Sequence, residues 1–96
     1  MDTAELLILL KNDLQLMTTA NDNYLTLLLG QAAVAIQQEG IILGNDQQSA
    51  GVQVQYAAWL FRKRASDNTA MPRFLRWQLN NMLMAQKGQV TADDNV

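Results

Sequence analysis

The segment Val52-Gln53-Val54-Gln55-Tyr56-Ala57-Ala58-Trp59-Leu60-Phe61-Arg62-Lys63-Arg64 decides the fold class. Its first five residues alternate apolar and polar, the period-two pattern of a half-buried strand. The same stretch also places Val52, Tyr56, Trp59, Leu60 and Lys63 on one helical stripe. The continuation through residue 65 holds good helix formers and no turn residue. The helical reading accounts for more of the run, so the segment predicts a helix over about 48–65. Arg62, Lys63 and Arg64 then close that helix, where the macrodipole favours cations.

Working outward, Ser66 to Met71 is a polar linker, and Pro72, the single proline, suits the first position of another helix. Leu75, Leu79, Met82 and Leu83 form its inner stripe, with Phe74 or Trp77 at the edge. Gly88 is placed to end this helix, which gives a span of 72–87. Residues 89–96 lack periodicity and read as a flexible tail.

Upstream, Ile41 to Gly51 gathers Gly44, Asn45, Asp46, Ser49 and Gly51, a cluster of turn formers. Its apolar start, Ile41-Ile42-Leu43, predicts that the loop packs back on the core. Leu25, Leu28, Leu29, Ala32 and Ile36 recur at helical spacing and predict a helix over 22–39. Asn21 or Asp22 would cap it, and Gly40 would end it in a left-handed turn. Gly30, Ala32, Ala33 and Ala35 make a small-residue face, suited either to packing inside the monomer or to a second subunit. At the start, Asp2 and Glu5 have capping-box spacing ahead of a short helix over 3–11, with Leu6, Leu7 and Leu10 on one face. Asn12 to Ala20 reads as a connection with Leu14 and Leu16 tucked inward.

The expected fold is therefore all-α, one domain over 1–88 with four helices and short connections, so that sequential helices are antiparallel neighbours. Its predicted core is Leu25, Leu28, Leu29, Ala32, Ile36, Tyr56, Trp59, Leu60, Leu75, Leu79 and Leu83.

Composition limits the chemistry. The 96 residues are 49% apolar and 17% charged, with no cysteine and no histidine. Disulfides, thiolate metal sites, thiol nucleophiles and histidine-based triads are excluded. The apolar fraction is too high for a disordered chain. Leu6 to Leu10 is only five residues long, whereas a bilayer span needs about 20. Asp2 and Glu5 precede it, where an export signal would carry basic residues. The expectation is a soluble chain of intracellular origin without a membrane partner. Asn45-Asp46 lacks calcium-loop spacing and reads as a turn, and Asp93-Asp94 as a solvated end. No catalytic residue, cofactor site or metal site is expected, and the protein does not read as an enzyme.

One cluster stands out. Arg62, Lys63, Arg64, Arg73 and Arg76 bracket a single linker, with Trp59, Phe61, Phe74 and Trp77 interleaved. Arginines with aromatics suit nucleic acid. Equally, the aromatics can be core and the charges can solvate two helix ends. Arg73 and Arg76 occupy the first turns of their helix, where the dipole disfavours cations, so they call for an anionic partner in this chain or another. A small helical nucleic-acid-binding or regulatory protein is the alternative that this cluster supports. Against it, the Ser66–Met71 linker is longer than a helix-turn-helix turn and lacks glycine.

The order of these blocks resembles the small head–tail connector proteins of long-tailed double-stranded DNA phages, the DNA-packaging or head-completion adaptors. The resemblance rests on Leu6-Leu7, Leu10-Lys11 and Asp13-Leu14; on Asp22-Asn23-Tyr24-Leu25 with Leu28 and Ala32-Ala33, ending at Gly40-Ile41; on Val54 to Arg64; and on Met71-Pro72-Arg73-Phe74-Leu75-Arg76 with Leu79-Asn80-Asn81. It implies an all-helical, non-catalytic subunit of a homo-oligomeric ring on the portal protein, twelvefold if it matches the portal's symmetry. Such a ring extends the DNA channel, through which DNA passes without sequence recognition, and offers a docking surface to a neck or tail-completion protein. The implied location is the virion head–tail junction of a phage or prophage particle, with assembly in the host cytoplasm. Under this reading Arg62, Lys63, Arg64, Arg73 and Arg76 serve mainly subunit or portal contacts.

The net charge of −2 conceals a division. Residues 1–50 carry Lys11 against Asp2, Glu5, Asp13, Asp22, Glu39 and Asp46, a net −5. Residues 51–88 carry Arg62, Lys63, Arg64, Arg73, Arg76 and Lys87 against Asp67, a net +5. Acidic and basic faces meeting between ring subunits would guide assembly more than strengthen it.

Overall fold

A computed structural model describes residues 2–66 and 69–94, with side chains described as far as residue 87. Four α-helices and no strand occur among the described residues: α1 (Thr3–Leu14), α2 (Asp22–Gln38), α3 (Gln47–Lys63) and α4 (Arg73–Asp94). The all-α expectation holds, and the segment over 52–56 is helical.

Each helix starts and stops for a local reason. Asp2 accepts the Glu5 amide at 2.9 Å and caps α1. This helix runs three residues past the expected end at Lys11. Gln15 takes the left-handed conformation (φ 59°) and Leu16 N–H bonds back to the Lys11 carbonyl at 2.9 Å, a Schellman-type closure. The position was hidden in sequence because glycine or asparagine usually marks it. Leu14 and Leu16 do pack inward against the core.

At α2, Asn21 occupies the N-cap position without a side-chain cap bond, and Asp22 instead pairs with Lys11 Nζ at 2.9 Å. Gly40 adopts φ +98° just past the helix, as a C′ glycine should. The turn formers after it act together. Asp46 accepts the Ser49 amide (3.2 Å) and hydroxyl (2.8 Å), while Ser49 Oγ accepts the Gly44 amide (2.9 Å). A Cβ on Gly44 would lie 2.9 Å from Asp46 Oδ1, so a side chain there would push on the carboxylate that forms this cap. It starts α3 at Gln47 and places Gly51 inside the helix, whose last residue is Lys63 and not the expected Ala65. Pro72 immediately precedes α4, its carbonyl accepting the first helical bond from Arg76 N–H at 3.1 Å. The α4 backbone continues beyond the expected end at 87. The side chains from Gly88 onward, and Asn95 and Val96 altogether, lie outside the described residues, so of the tail expected over 89–96 only the backbone to Asp94 is described.

The helices surround two apolar clusters. In the first, Leu6 and Leu10 of α1, Leu25, Leu28, Leu29 and Ala32 of α2, and Ala50, Val54, Ala57 and Ala58 of α3 are buried. In the second, Ile36, Ile41, Val52, Leu75, Leu79 and Met82 are buried. Val52 and Val54 are two residues apart on α3, about 200° round the helix, and belong to different clusters. Thus α1 and α4 pack on opposite sides of α3. The antiparallel order of α2 and α3 follows from three contacts: Tyr24 beside Phe61 (6.3 Å between ring centroids), Gln53 Nε2 donating to the Leu29 carbonyl (3.0 Å), and Ile36 in one cluster with Val52.

The predicted core is mostly correct. Leu25, Leu28, Leu29, Ala32, Ile36, Leu75 and Leu79 are buried. Tyr56, Trp59, Leu60 and Leu83 are half-buried instead. Their stripe lies between the inner positions of α3, and Tyr56 borders both clusters. The α3 residues that fill the core are small, Ala50, Val54, Ala57 and Ala58, which lets α1 and α2 approach closely. Ile41 is buried as expected of the loop start, whereas Ile42 points out.

Candidate functional site

Two kinds of surface carry the features singled out in the sequence: the basic cluster, and apolar faces left without an internal partner.

The five basic residues do not form one patch of free charge. Arg76 reaches back to Glu39 at the end of α2 and donates to both carboxylate oxygens, at 2.7 and 3.2 Å. This bond raises the Arg76 pKa above its ordinary value. The anionic partner demanded by its place in the first turn of α4 is therefore in this chain. The same Glu39 charge assists burial in raising the Tyr56 pKa, burial being the larger cause. Arg62 pairs with Asp13 at 3.4 Å, an exposed contact of small energetic value. Lys63 lies over the Trp59 ring, 4.8 Å from its centroid. Arg64 lies over Phe61 (4.1 Å) and Tyr24 (5.1 Å), cation–π contacts made by a residue that is itself exposed. Arg73 is exposed and has no ion pair among the described residues.

Two of the three ion pairs, Arg62–Asp13 and Arg76–Glu39, join the basic half of the chain to the acidic half. Part of the charge division that suggested contacts between subunits is thus used within one subunit.

The linker is anchored by Trp59, whose indole Nε1 donates to the Thr69 carbonyl at 3.1 Å. Across the molecule, Gln86 of α4 grips the loop after α2: its Oε1 accepts the Ile42 amide (2.8 Å) and its Nε2 donates to the Ile42 carbonyl (2.9 Å). Neither Gln53 nor Gln86 was distinguishable in sequence from a solvated glutamine.

The apolar faces are three. On α4, Phe74 (62% exposed) and Trp77 (60% exposed) stack at 5.8 Å with an interplanar angle of 26°, and Met84 continues the row. On α2, Leu27 and Val34 project to either side of Gly30 and form the walls of a shallow pocket of about 570 Å³. A Cβ at Gly30 would meet nothing within 4 Å, so packing inside the monomer does not explain this glycine. Of the small-residue face only Ala32 is buried within the monomer. The third face is a groove of about 390 Å³ between α1 and α3, lined by Leu9, Asn12, Asp13, Gly51, Val54 and Gln55, with exposed Ile8 beside it.

Among the described residues no cluster of three or more acids could hold a metal ion, and no helix is long and apolar enough to cross a membrane. Comparison with protein families, curated proteins and solved structures finds no match to this chain.

Proposed function

We propose that this chain is a structural subunit of a phage or prophage head–tail connector, forming a ring on the portal vertex that extends the DNA channel and receives a neck or tail-completion protein. The observation that carries the reading is the set of large apolar side chains exposed on separate faces: Phe74, Trp77 and Met84 on α4, Leu27 and Val34 on α2, Ile8 and Leu9 on α1. Surfaces of this kind mark protein contacts when they are contiguous. A ring requires two unlike patches on each subunit, and these faces supply them. The four-helix architecture and the block order described above agree with such a subunit. Burial against neighbours would also add stability to a short chain with a divided core.

The test is native mass spectrometry of the chain with isolated portal rings. The expected result is a defined number of copies bound per portal ring. A chain that stays monomeric at high concentration and never binds portal contradicts the proposal.

Nucleic-acid binding is the second reading, favoured by Lys63, Arg64 and Arg73, which make no ion pair among the described residues, together with the exposed Phe74–Trp77 pair. Specific duplex binding that survives moderate salt would establish it. Weak binding abolished by salt is what incidental basic charge produces.

A further inference from the structure

We infer that α4 is a latch: it comes off the body formed by α1, α2 and α3 as one unit while that body stays folded, and its release uncovers an apolar site at Ile36, Ile41 and Val52. The opening belongs to the single subunit and is independent of what the chain assembles with.

The two apolar clusters divide along this line. The first is built from α1, α2 and α3 and contains no described residue of α4. α4 enters only the second, where Leu75, Leu79 and Met82 cover Ile36, Ile41 and Val52. Lifting α4 away therefore leaves the first cluster whole.

Two clasps close the latch, and both grip the corner after α2. Arg76 donates to both Glu39 oxygens, at 2.7 and 3.2 Å. Gln86, about 15 Å further along the helix, pairs with the Ile42 amide and carbonyl at 2.8 and 2.9 Å. Between them Leu83 lies against Gly40, its Cδ1 3.4 Å from where a Cβ would stand. The Gln86 bonds are exposed, so water can replace them at small net cost.

Undocked, α4 has little to keep it helical. Its first turn holds no acid and its last turn no base, so nothing on the helix itself answers the macrodipole. Arg76 near its start is compensated only by Glu39 of the body. Asn80, Asn81 and Gly88 lower its helix propensity, and an isolated helix is marginal in water. Release of α4 therefore exposes its backbone to exchange. Trp59 pins the linker at the Thr69 carbonyl, which places the pivot at Ala70-Met71-Pro72, immediately before α4.

Hydrogen exchange of the natural chain, read amide by amide, tests the latch. The amides of Gln78 to Met82, in the middle of α4, are expected to exchange about tenfold or more faster than those of Leu28 to Ala32 in the middle of α2. Leu29→Ala separates local from global opening. The body stays folded in the open latch, so this variant should speed exchange in α2 and α3 and leave the α4 amides unchanged. Leu6→Ala, at the rim of the same cluster, is the milder variant and carries the same expectation should Leu29→Ala not fold. Since the natural chain has no cysteine, single thiols report the uncovered site directly. Ile36 and Leu29 lie on one stripe of α2 and are 0% and 1% exposed, but they belong to different clusters. A thiol reagent should label Ile36→Cys faster than Leu29→Cys. Equal exchange in α2 and α4, acceleration of the α4 amides by a body variant, or equal labelling of the two thiols overturns the inference. So does fast exchange confined to the C-terminal amides of α4, which is fraying of the helix end and not release of the unit.

Discussion

α2 and α4 are both amphipathic helices, but they spend their apolar residues differently. α2 buries Leu25, Leu28, Leu29 and Ala32 in the cluster with α1 and α3, and Ile36 in the cluster with α3 and α4. α4 buries only Leu75, Leu79 and Met82 among its described side chains, and turns Phe74, Trp77 and Met84 to solvent. The inner stripe of α2 is thus committed to holding the subunit together. The aromatic content of α4 lies outside the subunit's own core, although fully burying such a side chain is worth about 1.5–3 kcal/mol. Large apolar side chains left exposed in a row contribute little burial to the subunit's own core, and under the connector proposal they are the surface a neighbour would cover.

This contrast is open to direct attack. Leu29→Ala, which opens a cavity in the α1–α2–α3 cluster, should lower unfolding stability by about 2–5 kcal/mol in a urea titration. Trp77→Ala should change the monomer by no more than about 0.5 kcal/mol in the same titration. Comparable losses from the two would erase the distinction.

Arg76→Ala removes the tie between α4 and the end of α2. The pair is partly exposed but doubly bonded, so a loss of roughly 1 kcal/mol is expected. Arg73→Ala, one turn earlier and with no ion pair among the described residues, should leave stability unchanged. A smaller effect of opposite sign comes from the outer face of α2. Gly30→Ala places a methyl group in open space and removes the helix penalty of glycine, so the subunit should gain about 0.5–1 kcal/mol. A loss would mean that Gly30 is already packed within the monomer.

The α3 cap adds a pH dependence. The Ser49 hydroxyl, and next the Ser49 amide, hold the Asp46 carboxyl below its ordinary value of 3.8. A carboxyl lowered on folding stabilises the native state fully above its unfolded value, and that stability is lost as pH falls through the lowered one. Melting temperature should therefore be insensitive to this group at neutral pH and fall in acid. Asp46→Asn should flatten part of that acid limb. An unchanged limb would show that the cap does not titrate.

Much of the fold was legible because spacing and punctuation agree. The α2 stripe and Gly40 mark positions that the structure uses as expected, and Pro72 lies one residue ahead of the helix it was expected to begin. The rest was hidden for physical reasons. Gln15 takes a left-handed turn usually given to glycine, so α1 looked three residues shorter. Alternation over 52–56 arises because Val52 and Val54 serve different clusters on two sides of one helix. Tyr56, Trp59 and Leu60 looked like core since sequence reports hydrophobicity but not which flank a neighbouring helix covers. For the basic cluster, the need of Arg76 for an anion was readable, but the partner, Glu39, lies 37 residues away. The exposure of Phe74 and Trp77 became clear only once α4 was seen to meet α3 through Leu75 and Leu79.

The most direct measurement is co-sedimentation with portal rings of a Phe74→Ala/Trp77→Ala chain beside the natural one, on samples shown to have equal melting temperatures. Loss of the variant from the portal-bound fraction, with the natural chain retained, is the predicted result. Equal retention of both chains would contradict the claim that the outer face of α4 is an assembly surface.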